Sequence, residues 1–470
     1  MPNLTPRYRS IANRLRASIV DGALAPGDKV SSARKIAARE GVSLATAAAA
    51  LRVLESEGLL VARPRSGYFV ANARTPEPSL SRPSRSPQFV TSASLARSLF
   101  LTKPDIIVPL GAALPDPTWL PVADLQRALI AAGRRLGGAA QTYSMPPGRS
   151  DLRRQIAARA AAWGGAFGPE GLVITSGETQ AMRLALKATC KAGDVVAVES
   201  PTYFGALILL ETLGLRALEI PTDPRTGLDI DALERAMATR KIAAVLASPT
   251  VQNPLGASMP LDQKKRLVEI LRVHQTPLIE DDVYGDLVSA AAVRVPCKAF
   301  DTEGMVLYCS SASKTLAPGW RVGWIAAGRY LDAVQKLRLE ESLAGSPLIE
   351  SAFADYLSGG DYDRHLRRFR TRVDSAIRAI AARVEDSFPK GTKFSRPANG
   401  YLLWVELPGA VDALEVHRRA LGIGISVSPG PLFSPQAGFQ HHLRINCANE
   451  PSPRLLNAVD KLGEICGSLA

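Results

Sequence analysis

The amine with the clearest chemical context in this chain is that of Lys314. It lies in the run Ser-Ala-Ser-Lys-Thr at 311–315, and Arg321 follows seven positions later. A lysine amine forms a Schiff base with an aldehyde, while hydroxyl groups and a guanidinium can hold a phosphate. The pattern predicts an anchor for pyridoxal 5'-phosphate, with Lys314 as the catalytic residue and with Ser311, Ser313 and Arg321 around the phosphate.

Short apolar runs alternate with helical stretches from Gly171 onward. This alternation predicts an α/β domain around a largely parallel sheet. Ligands of such open sheets bind beyond the carboxyl ends of the strands, so the residues that follow each run are candidates for a site. The predicted strands are 172–175, 195–198, 243–247, 277–279, 305–308 and 322–327.

Polar residues after these runs match the needs of a pyridoxal ring. A carboxylate must face the protonated pyridine nitrogen, and Asp281, three positions before Tyr284, suits this role. Glu280 and Asp282 are alternatives, because any of the three carboxylates could instead cap a helix. The amide of Asn253 and the phenol of Tyr284 fit the ring hydroxyl.

A helix start and an aromatic residue complete this set. Backbone N–H groups after Gly177, with Thr179, can receive the phosphate. Glu178 should contact it only through its backbone, because a carboxylate repels a phosphate dianion. The ring of Tyr203 can stack on the cofactor, although a place in the core is the alternative.

Positive charge is concentrated near the N-terminus. Residues 1–100 contain 15 Lys and Arg against 6 Asp and Glu, whereas the whole chain of 470 residues carries +13. Such a concentration favours salt-dependent binding to a polyanion such as DNA. A solvated basic face is the alternative that charge alone leaves open.

The first 75 residues have the pattern of three helices and a basic hairpin. Ile11, Leu15 and Ile19 mark one helix face, and Ser43 can cap the third helix. A helix, a tight turn and a second helix form a layout that enters the major groove of DNA. The predicted helices are 7–21, 32–39 and 43–57, and the hairpin strands are 59–62 and 68–71.

These motifs resemble the winged helix-turn-helix domain of the GntR family of regulators. The matching segments are 22–27, 32–37, 42–43 with Thr46, 51–58 and 65–70. The resemblance implies that Arg34, Ser43 and Thr46 face phosphates or base edges of double-stranded DNA. It also implies that Ser66 and Gly67 form a wing tip that approaches the minor groove. Arg63 and Arg65, in the basic tip of the same hairpin, are further candidates for DNA binding.

The recognition helix departs from that family in one respect. Many members have a basic residue just after the serine, whereas this chain has Leu44 and then mostly alanine. Alanine can pack on a thymine methyl but cannot make a bidentate contact with guanine. We therefore expect phosphate contacts and the wing to provide much of the affinity.

The later part of the chain resembles the fold-type I, class I aminotransferases. The motifs are TSGETQA, SPTYFG, QNPLG, IEDDVYGDL and SSASKTLAPGWRVGW, in that order. Together with the N-terminal motifs they resemble the MocR-like group of GntR regulators. The resemblance implies that Arg444 binds the α-carboxylate of a ligand, with a structural ion pair as the alternative. It also implies that Tyr143 reaches the cofactor phosphate of a partner subunit, and hence a homodimer.

Length and apolar content (46%) predict a multidomain protein, because 470 residues exceed what one core usually covers. The expected fold is a mostly α winged helix-turn-helix with a small β-wing, then an α/β transferase of fold type I with a smaller α+β subdomain. A Pro-rich tether ending in a short helix should join them. The predicted bounds are 1–75, 76–103 for the linker, 104–353 for the large domain and 354–470 for the small one.

Other classes of protein find little support. The N-terminus has no apolar signal region and no run approaches the roughly 18 apolar residues of a membrane span. Five cysteines without CxxC spacing and five histidines without metal spacing indicate neither disulfides nor a metal site. We expect a bacterial cytoplasmic protein that is associated with the nucleoid when bound to DNA.

The two modules together suggest a DNA-binding transcriptional regulator that senses an amine or amino acid by forming an aldimine at the cofactor on Lys314. An active aminotransferase for an amino acid and a 2-oxo acid, with an appended DNA-binding domain, is the alternative. A decarboxylase or lyase on the same fold is a third class, because fold does not determine reaction.

Overall fold

The computed structural model describes residues 7–21, 23–24, 27–56, 59–63, 67–70, 77–101, 106–165, 167–289, 291–409 and 411–470. The chain divides into two compact units, Met1–Pro76 and Glu77–Ala470. No described helix is long and apolar enough to cross a membrane.

The first unit packs three helices and a hairpin around a small apolar core. Ile11 and Leu15 are buried together with Leu51 and Leu54, as the helical spacing predicts. The hydroxyl of Ser32 accepts the N–H of Lys35 and so caps the second helix. The elements are α1 (Arg7–Val20), α2 (Ala33–Glu40), α3 (Leu44–Ser56), β1 (Leu60–Arg63) and β2 (Gly67–Val70), and the two strands pair antiparallel.

Six strands of the second unit agree with the predicted apolar runs to within three residues at each end. The other strands, of which β7 is the longest, are not among those predicted. The strands are β3 (Gln88–Phe89), β4 (Val108–Pro109), β5 (Leu172–Thr175), β6 (Val195–Ser200), β7 (Arg216–Asp223), β8 (Gly227–Leu228), β9 (Ala244–Ala247), β10 (Leu278–Asp281), β11 (Val306–Ser311), β12 (Gly323–Ala326), β13 (Lys393–Phe394), β14 (Leu402–Glu406), β15 (Ile425–Ser426), β16 (Ser428–Pro429) and β17 (His442–Asn446).

Helices separate and cover these strands, and the longest belongs to the C-terminal part. The α-helices are α4 (Ala93–Leu101), α5 (Val122–Leu136), α6 (Ser150–Ala162), α7 (Glu178–Thr189), α8 (Phe204–Thr212), α9 (Ile230–Thr239), α10 (Leu261–Val273), α11 (Ala291–Arg294), α12 (Leu331–Ser342), α13 (Pro347–Ser358), α14 (Asp361–Ser387), α15 (Ala413–Gly422) and α16 (Pro453–Gly467).

The main sheet has the strand order β3-β7-β6-β9-β10-β11-β12-β5, with β8 beside β7. Strands β5, β6, β7, β9, β10 and β11 run parallel, whereas β3, β8 and β12 run antiparallel to their neighbours. Both faces are buried: Val196 and Val198 point into one apolar cluster, and Val195 and Ala197 into another. The carboxyl ends of the parallel strands therefore meet at one edge of the sheet.

A second sheet, β13-β14-β17-β16, is antiparallel and packs against α14, α15 and α16. Its apolar cluster also contains Val108 and Leu110, which come from far earlier in the chain. The boundary predicted at residue 354 falls inside α13, and Phe353 and Ala354 pack under the main sheet. The helix α13 therefore belongs to the large domain, because its apolar side packs there. The smaller domain combines the segment around Val108 and Leu110 with the C-terminal part of the chain.

Residues 77–89 differ from the predicted tether. The N–H and hydroxyl of Ser79 donate to the carboxylate of Glu406, and the hydroxyl of Ser81 donates to the carbonyl of Ser200 at 2.7 Å. Gln88 and Phe89 pair with β7. This part of the predicted linker is held on the second unit by hydrogen bonds, which its Pro- and Ser-rich composition did not indicate.

Candidate functional site

Lys314 lies in the turn after β11, at the edge where the parallel strands end. Its Nζ donates to the carbonyl oxygen of Ala113 at 2.9 Å. Burial lowers the pKa of the Lys314 amine to about 8; the Glu178 carboxyl opposes this change and the Arg444 guanidinium adds to it. A buried amine with a lowered pKa supplies more of the neutral form that attacks a carbonyl carbon.

The three consecutive carboxylates at the end of β10 have different surroundings. Glu280 accepts the N–H groups of Cys297 and Lys298 at 2.7 and 2.9 Å. Asp282 accepts from Arg294 at 2.8 Å and from the hydroxyl of Tyr308. Because side chains alternate along a strand, Asp281 points to the opposite side, where it lies near Glu178 and Lys314. The geometry selects Asp281 as the carboxylate that faces the site.

Two tyrosines and an amide line the same space. The hydroxyl of Tyr284 is buried without a hydrogen-bond partner, and the ring packs edge-on against Tyr401 at 5.3 Å. The Tyr203 ring lies over Gly205, where an added Cβ would come within 2.4 Å of it. The Oδ1 atom of Asn253 accepts from Arg444 at 3.2 Å. A phenol and an amide are thus available to a ring hydroxyl, and an aromatic face to the ring.

The helix start and the loop after Lys314 form a basic cradle. The Arg321 guanidinium donates to the Ser176 carbonyl at 3.2 Å and to the Ser313 hydroxyl at 3.4 Å. Gly177 has φ +84°, and an added Cβ would lie 2.3 Å from that guanidinium. The Ser311 hydroxyl accepts the Ser313 N–H at 3.3 Å. The first N–H groups of α7 have no partner within the helix, so this cradle suits a phosphate.

The side chains of two residues near the cradle differ in their exposure. The side chain of Thr179 is exposed, and this residue lies in the first turn of α7. Glu178 is 8% exposed, and its Oε1 is buried without a hydrogen-bond partner.

Arg444 is almost completely buried, at 1% exposure, in the strand β17. Its guanidinium lies 5.0 Å from the Phe433 ring and 6.0 Å from the Phe204 ring. It donates to the carbonyl of Gly111 and to the hydroxyl of Ser428, while its Nε has no hydrogen-bond partner. A guanidinium without a carboxylate partner among these contacts can bind a ligand carboxylate.

Several residues of the site have no counterpart in the sequence-based prediction. The carbonyls of Gly111 and Ala113 orient Arg444 and Lys314, and the Tyr401 hydroxyl donates to Ala113 at 3.4 Å. Backbone acceptors carry no residue-type signal. The glycine-containing turn just before Pro115 was the available sequence cue, because a glycine permits close approach of another group.

Tyr143 is not brought into this site. Its side chain is 71% exposed, and the neighbouring Ser144 pairs with Gly345. Its expected role at a partner subunit's phosphate stays a prediction.

The residues of the first unit that are predicted to face DNA lie at the start of α2 and α3 and in the hairpin. Arg34 is exposed, and the Ser43 hydroxyl accepts the Thr46 N–H at 3.1 Å and bonds to the Thr46 hydroxyl at 2.9 Å. Ser43 thereby caps α3 as predicted, and both hydroxyls already have a local partner. Arg63 and Gly67 face each other across the hairpin, and Arg65 and Ser66 lie outside the described residues.

The residues at the main site fit pyridoxal 5'-phosphate. The buried phenol without a hydrogen-bond partner suits the ring hydroxyl, and the guanidinium beside a glycine suits the phosphate. The carboxylate suits the ring nitrogen, and the amine suits the aldehyde. Among the described residues no group of histidine, cysteine, aspartate or glutamate could hold a metal ion.

Two family models match the chain. Residues 109–462 match "Aminotransferase class I and II", and residues 7–70 match "Bacterial regulatory proteins, gntR family". The HTH-type transcriptional regulators YdcR and YjiR of Escherichia coli (strain K12) are each 36% identical over 461 residues, covering 98% and 97% of this chain and 98% of their own.

Solved aminotransferases share the fold of the second unit. α-Aminoadipate aminotransferase LysN from Thermus thermophilus, complexed with N-(5'-phosphopyridoxyl)-L-leucine, superposes with a TM-score of 0.74 at 27% identity, over 81% of this chain and 96% of its own. The kynurenine aminotransferase of Pyrococcus horikoshii gives 0.73 at 26% identity, over 80% and 94%.

Fold and site together define a winged helix-turn-helix domain joined to a fold-type I aminotransferase-like domain whose cofactor is pyridoxal 5'-phosphate. The chain belongs to the GntR-family regulators with a class I and II aminotransferase domain, which is the MocR-like architecture.

Proposed function

We propose that this regulator binds operator DNA with its first unit and senses an amine or amino acid at the cofactor on Lys314. The observation that carries the proposal is the presence of a full set of cofactor-directed groups in a chain that also has a GntR-type domain. The E. coli relatives YdcR and YjiR, which match this chain over nearly its whole length, are named transcriptional regulators.

The residues of the site suit the recognition of an amino acid. Pyridoxal phosphate supplies an electrophilic carbon that a primary amine can attack. The Arg444 guanidinium would bind the ligand's carboxylate. Burial lowers the pKa of the Lys314 amine to about 8, so a larger fraction of it is neutral near pH 7 than of an exposed lysine. A simple amine would lack the Arg444 contact and should bind more weakly.

Contacts of residues 77–81 offer a route from the site toward the DNA-binding part. Ser81 donates to the carbonyl of Ser200, three residues before the Tyr203 ring, and Ser79 is held by Glu406 of β14. A ligand that binds two arrangements of these contacts with different affinity shifts their populations. DNA binding would respond to that shift.

A homodimer belongs to the proposal, because Tyr143 is exposed and the family resemblance implies that it reaches the cofactor phosphate of a partner subunit. A fluorescent label at residue 143 and analytical ultracentrifugation of wild type and Tyr143→Phe would test this part. A monomer at micromolar concentration with full cofactor affinity would contradict it.

Footprinting on the protein's own promoter region tests the proposed function. At low salt we expect protection that changes when candidate amino acids are added to the cofactor-loaded protein. Lys314→Ala should keep the protection but lose its response to the amino acid. Absence of any protection would overturn the regulator, and an equal response in Lys314→Ala would overturn sensing at this lysine.

A working aminotransferase is the second candidate, favoured by the lowered pKa of Lys314, since a neutral amine can also move a proton at a substrate carbon. Conversion of the bound cofactor to its amine form by an amino acid, and its return by a 2-oxo acid with turnover, would support this function. A single stoichiometric spectral change without turnover would favour sensing alone.

A further inference from the structure

Thr315, the residue after Lys314, is held by the start of α14. Its hydroxyl lies 2.7 Å from the hydroxyl of Tyr362, and its carbonyl oxygen lies 2.6 Å from Nε2 of His365. A carbonyl oxygen can only accept, so His365 donates this bond. Each of the three bonded residues is at most 3% exposed. The turn that carries Lys314 is therefore bonded to a helix that supplies none of the predicted cofactor-binding residues.

The Tyr362 hydroxyl has a second partner, which determines the direction of these hydrogen bonds. It donates to Oδ2 of Asp286 at 2.8 Å. A phenol has a single hydrogen, so its oxygen must accept the hydrogen of the Thr315 hydroxyl. Burial opposes the ionisation of Asp286, but the guanidinium groups of Arg294 and Arg159 lower its pKa below the usual value. An ionised Asp286 therefore orients Tyr362, and Tyr362 orients Thr315.

Asp286 is itself held from three helices. Its carboxylate oxygens lie 3.6 Å from the guanidinium of Arg294 in α11 and 3.8 Å from that of Arg159 in α6. Nε of Arg370 in α14 donates to the backbone carbonyl of Asp286 at 3.0 Å. Arg294 also forms a buried ion pair with Asp282 at 2.8 Å. The acceptor of the Tyr362 hydroxyl is thus a fixed point and not a mobile surface carboxylate.

The position of the Lys314 turn depends on such contacts. Residues 313–316 form a turn after β11, which the N–H of Leu316 closes on the carbonyl of Ala312 at 3.0 Å. A turn has no ladder of strand hydrogen bonds, so the bonds of its side chains and remaining carbonyls determine where it lies. The amine of Lys314 reacts only if the turn presents it at the right distance, and a displacement of about 1 Å can slow a reaction about a hundredfold.

We propose that Tyr362 is a positioning residue for Lys314. Its hydroxyl, oriented by Asp286, holds the Thr315 side chain and with it the turn from which the lysine amine reaches the cofactor aldehyde. The inference rests on the proposed function in taking Lys314 as the anchor. It adds to the candidate site a tyrosine that acts through the residue next to the lysine and not by contact with the cofactor.

The test uses full-length protein stripped of cofactor and mixed with pyridoxal 5'-phosphate in a stopped-flow instrument. A series of cofactor concentrations separates the affinity of the first, non-covalent complex from the maximal rate of covalent attachment. Tyr362→Phe removes the hydroxyl and keeps the ring, over which the Arg159 guanidinium lies at 4.4 Å. Thr315→Val removes the other hydroxyl, whereas Thr315→Ser keeps it.

Tyr356→Phe is the matched control, because the Tyr356 hydroxyl is also buried but has no hydrogen-bond partner. Denaturant unfolding of every variant shows whether it is folded and how its stability compares with that of wild type. The Thr315 pair keeps the test decisive if Tyr362→Phe does not fold.

Tyr362→Phe and Thr315→Val should attach the cofactor about tenfold more slowly than wild type, with the affinity of the first complex within about twofold. Thr315→Ser and Tyr356→Phe should attach it at rates within about threefold of wild type. A wild-type rate in Tyr362→Phe, an equal loss in Thr315→Val and Thr315→Ser, or a loss of stability alone would overturn the positioning role. An equal slowing in Tyr356→Phe would overturn it as well. Failure of wild type to attach the cofactor at all would instead overturn the proposed function.

Discussion

The candidate cofactor site and the predicted DNA-facing surface are built in opposite ways. The site takes residues from the ends of several strands and from the turn near residue 111, whose backbone carbonyls accept hydrogen bonds. Most of these side chains are buried and have defined partners: Arg444, for example, donates to Asn253 and Ser428. The surface draws on residues within 34–67, and Arg34 and Ser43 are exposed. A buried set is arranged before its ligand arrives, whereas an exposed set takes its final geometry on DNA. Substitutions should therefore have large, specific effects in the site and small, graded ones on the surface.

The largest expected effect comes from Lys314→Ala. Removal of the amine should abolish the absorbance of the covalently held cofactor, while DNA retention by the first unit stays within about twofold of wild type, because the lysine is not on the DNA-facing surface. Absorbance spectroscopy and a DNA filter assay measure the two properties, with exposed Lys336→Ala as the control. Retention of the band would contradict the lysine assignment, and loss of both properties would remove the contrast between the two regions.

Substitutions at Asp281 and Asp282 should have different effects, one on cofactor binding and the other on the free energy of unfolding. Asp282→Asn should lower the free energy of unfolding by about 3 kcal/mol, because it breaks a buried pair with Arg294. Asp281→Asn should leave stability nearly unchanged and weaken cofactor binding about tenfold or more. Denaturant unfolding and cofactor titration of both variants give the answer. The reverse assignment of effects would show that Asp282 faces the ring.

The pH dependence of cofactor attachment tests the environment of Lys314. Its neutral fraction rises with pH, and because burial lowers the pKa of this amine to about 8, the attachment rate should rise about tenfold per unit below pH 8 and level off above it. A stopped-flow series from pH 6 to 10 measures this. A rate that still rises steeply at pH 10 would indicate an ordinary, solvated lysine.

A smaller effect is expected on the DNA-facing surface. Arg34→Ala should weaken binding to all sequences similarly and reduce the salt slope by about one, without changing cofactor affinity. DNA titration at several salt concentrations, with exposed Arg368→Ala as the control, measures the slope. An unchanged slope would place Arg34 away from the phosphates.

The smallest effect concerns the cap of α3. Ser43→Ala should cost about 1 kcal/mol, because the Thr46 N–H loses its acceptor, and Ser43→Asp should restore most of it. Hydrogen exchange of the α3 amides, with the α7 amides as an internal reference, detects this difference. Equal exchange in Ser43→Ala and wild type would show that the cap contributes little.

Helices and strands are predictable from the sequence where their buried positions are occupied by apolar residues. This is the case for the apolar runs of β5, β6 and β11 and for the buried faces of α1 and α3. The strand β7 escapes prediction because only alternate residues toward its end are fully buried, in the pattern Arg-Ala-Leu-Glu-Ile-Pro-Thr-Asp. Residues 77–81 have the composition of a tether because hydrogen bonds from Ser79 and Ser81 leave no apolar signal.

The site is predictable in its side chains and not in its arrangement. Residue types and resemblance to a family make Lys314, Asp281 and Arg444 candidates for the site, but the choice among Glu280, Asp281 and Asp282 needs the strand register. The burial of the Glu178 side chain at the start of α7 depends on tertiary packing, so no local pattern encodes it.

The alternation of the three carboxylates along β10 also bears on how this region can change in evolution. Insertion or deletion of a single residue in the strand would send Asp281 to the core side and put Glu280 or Asp282 in its place, so that the Arg294 pair and the ring partner would be lost together. A substitution changes one carboxylate and leaves the other two in place. A change of length in this strand alters all three at once. Length variation among descendants of this chain should therefore be absent from 278–282 and gather in the turns around it.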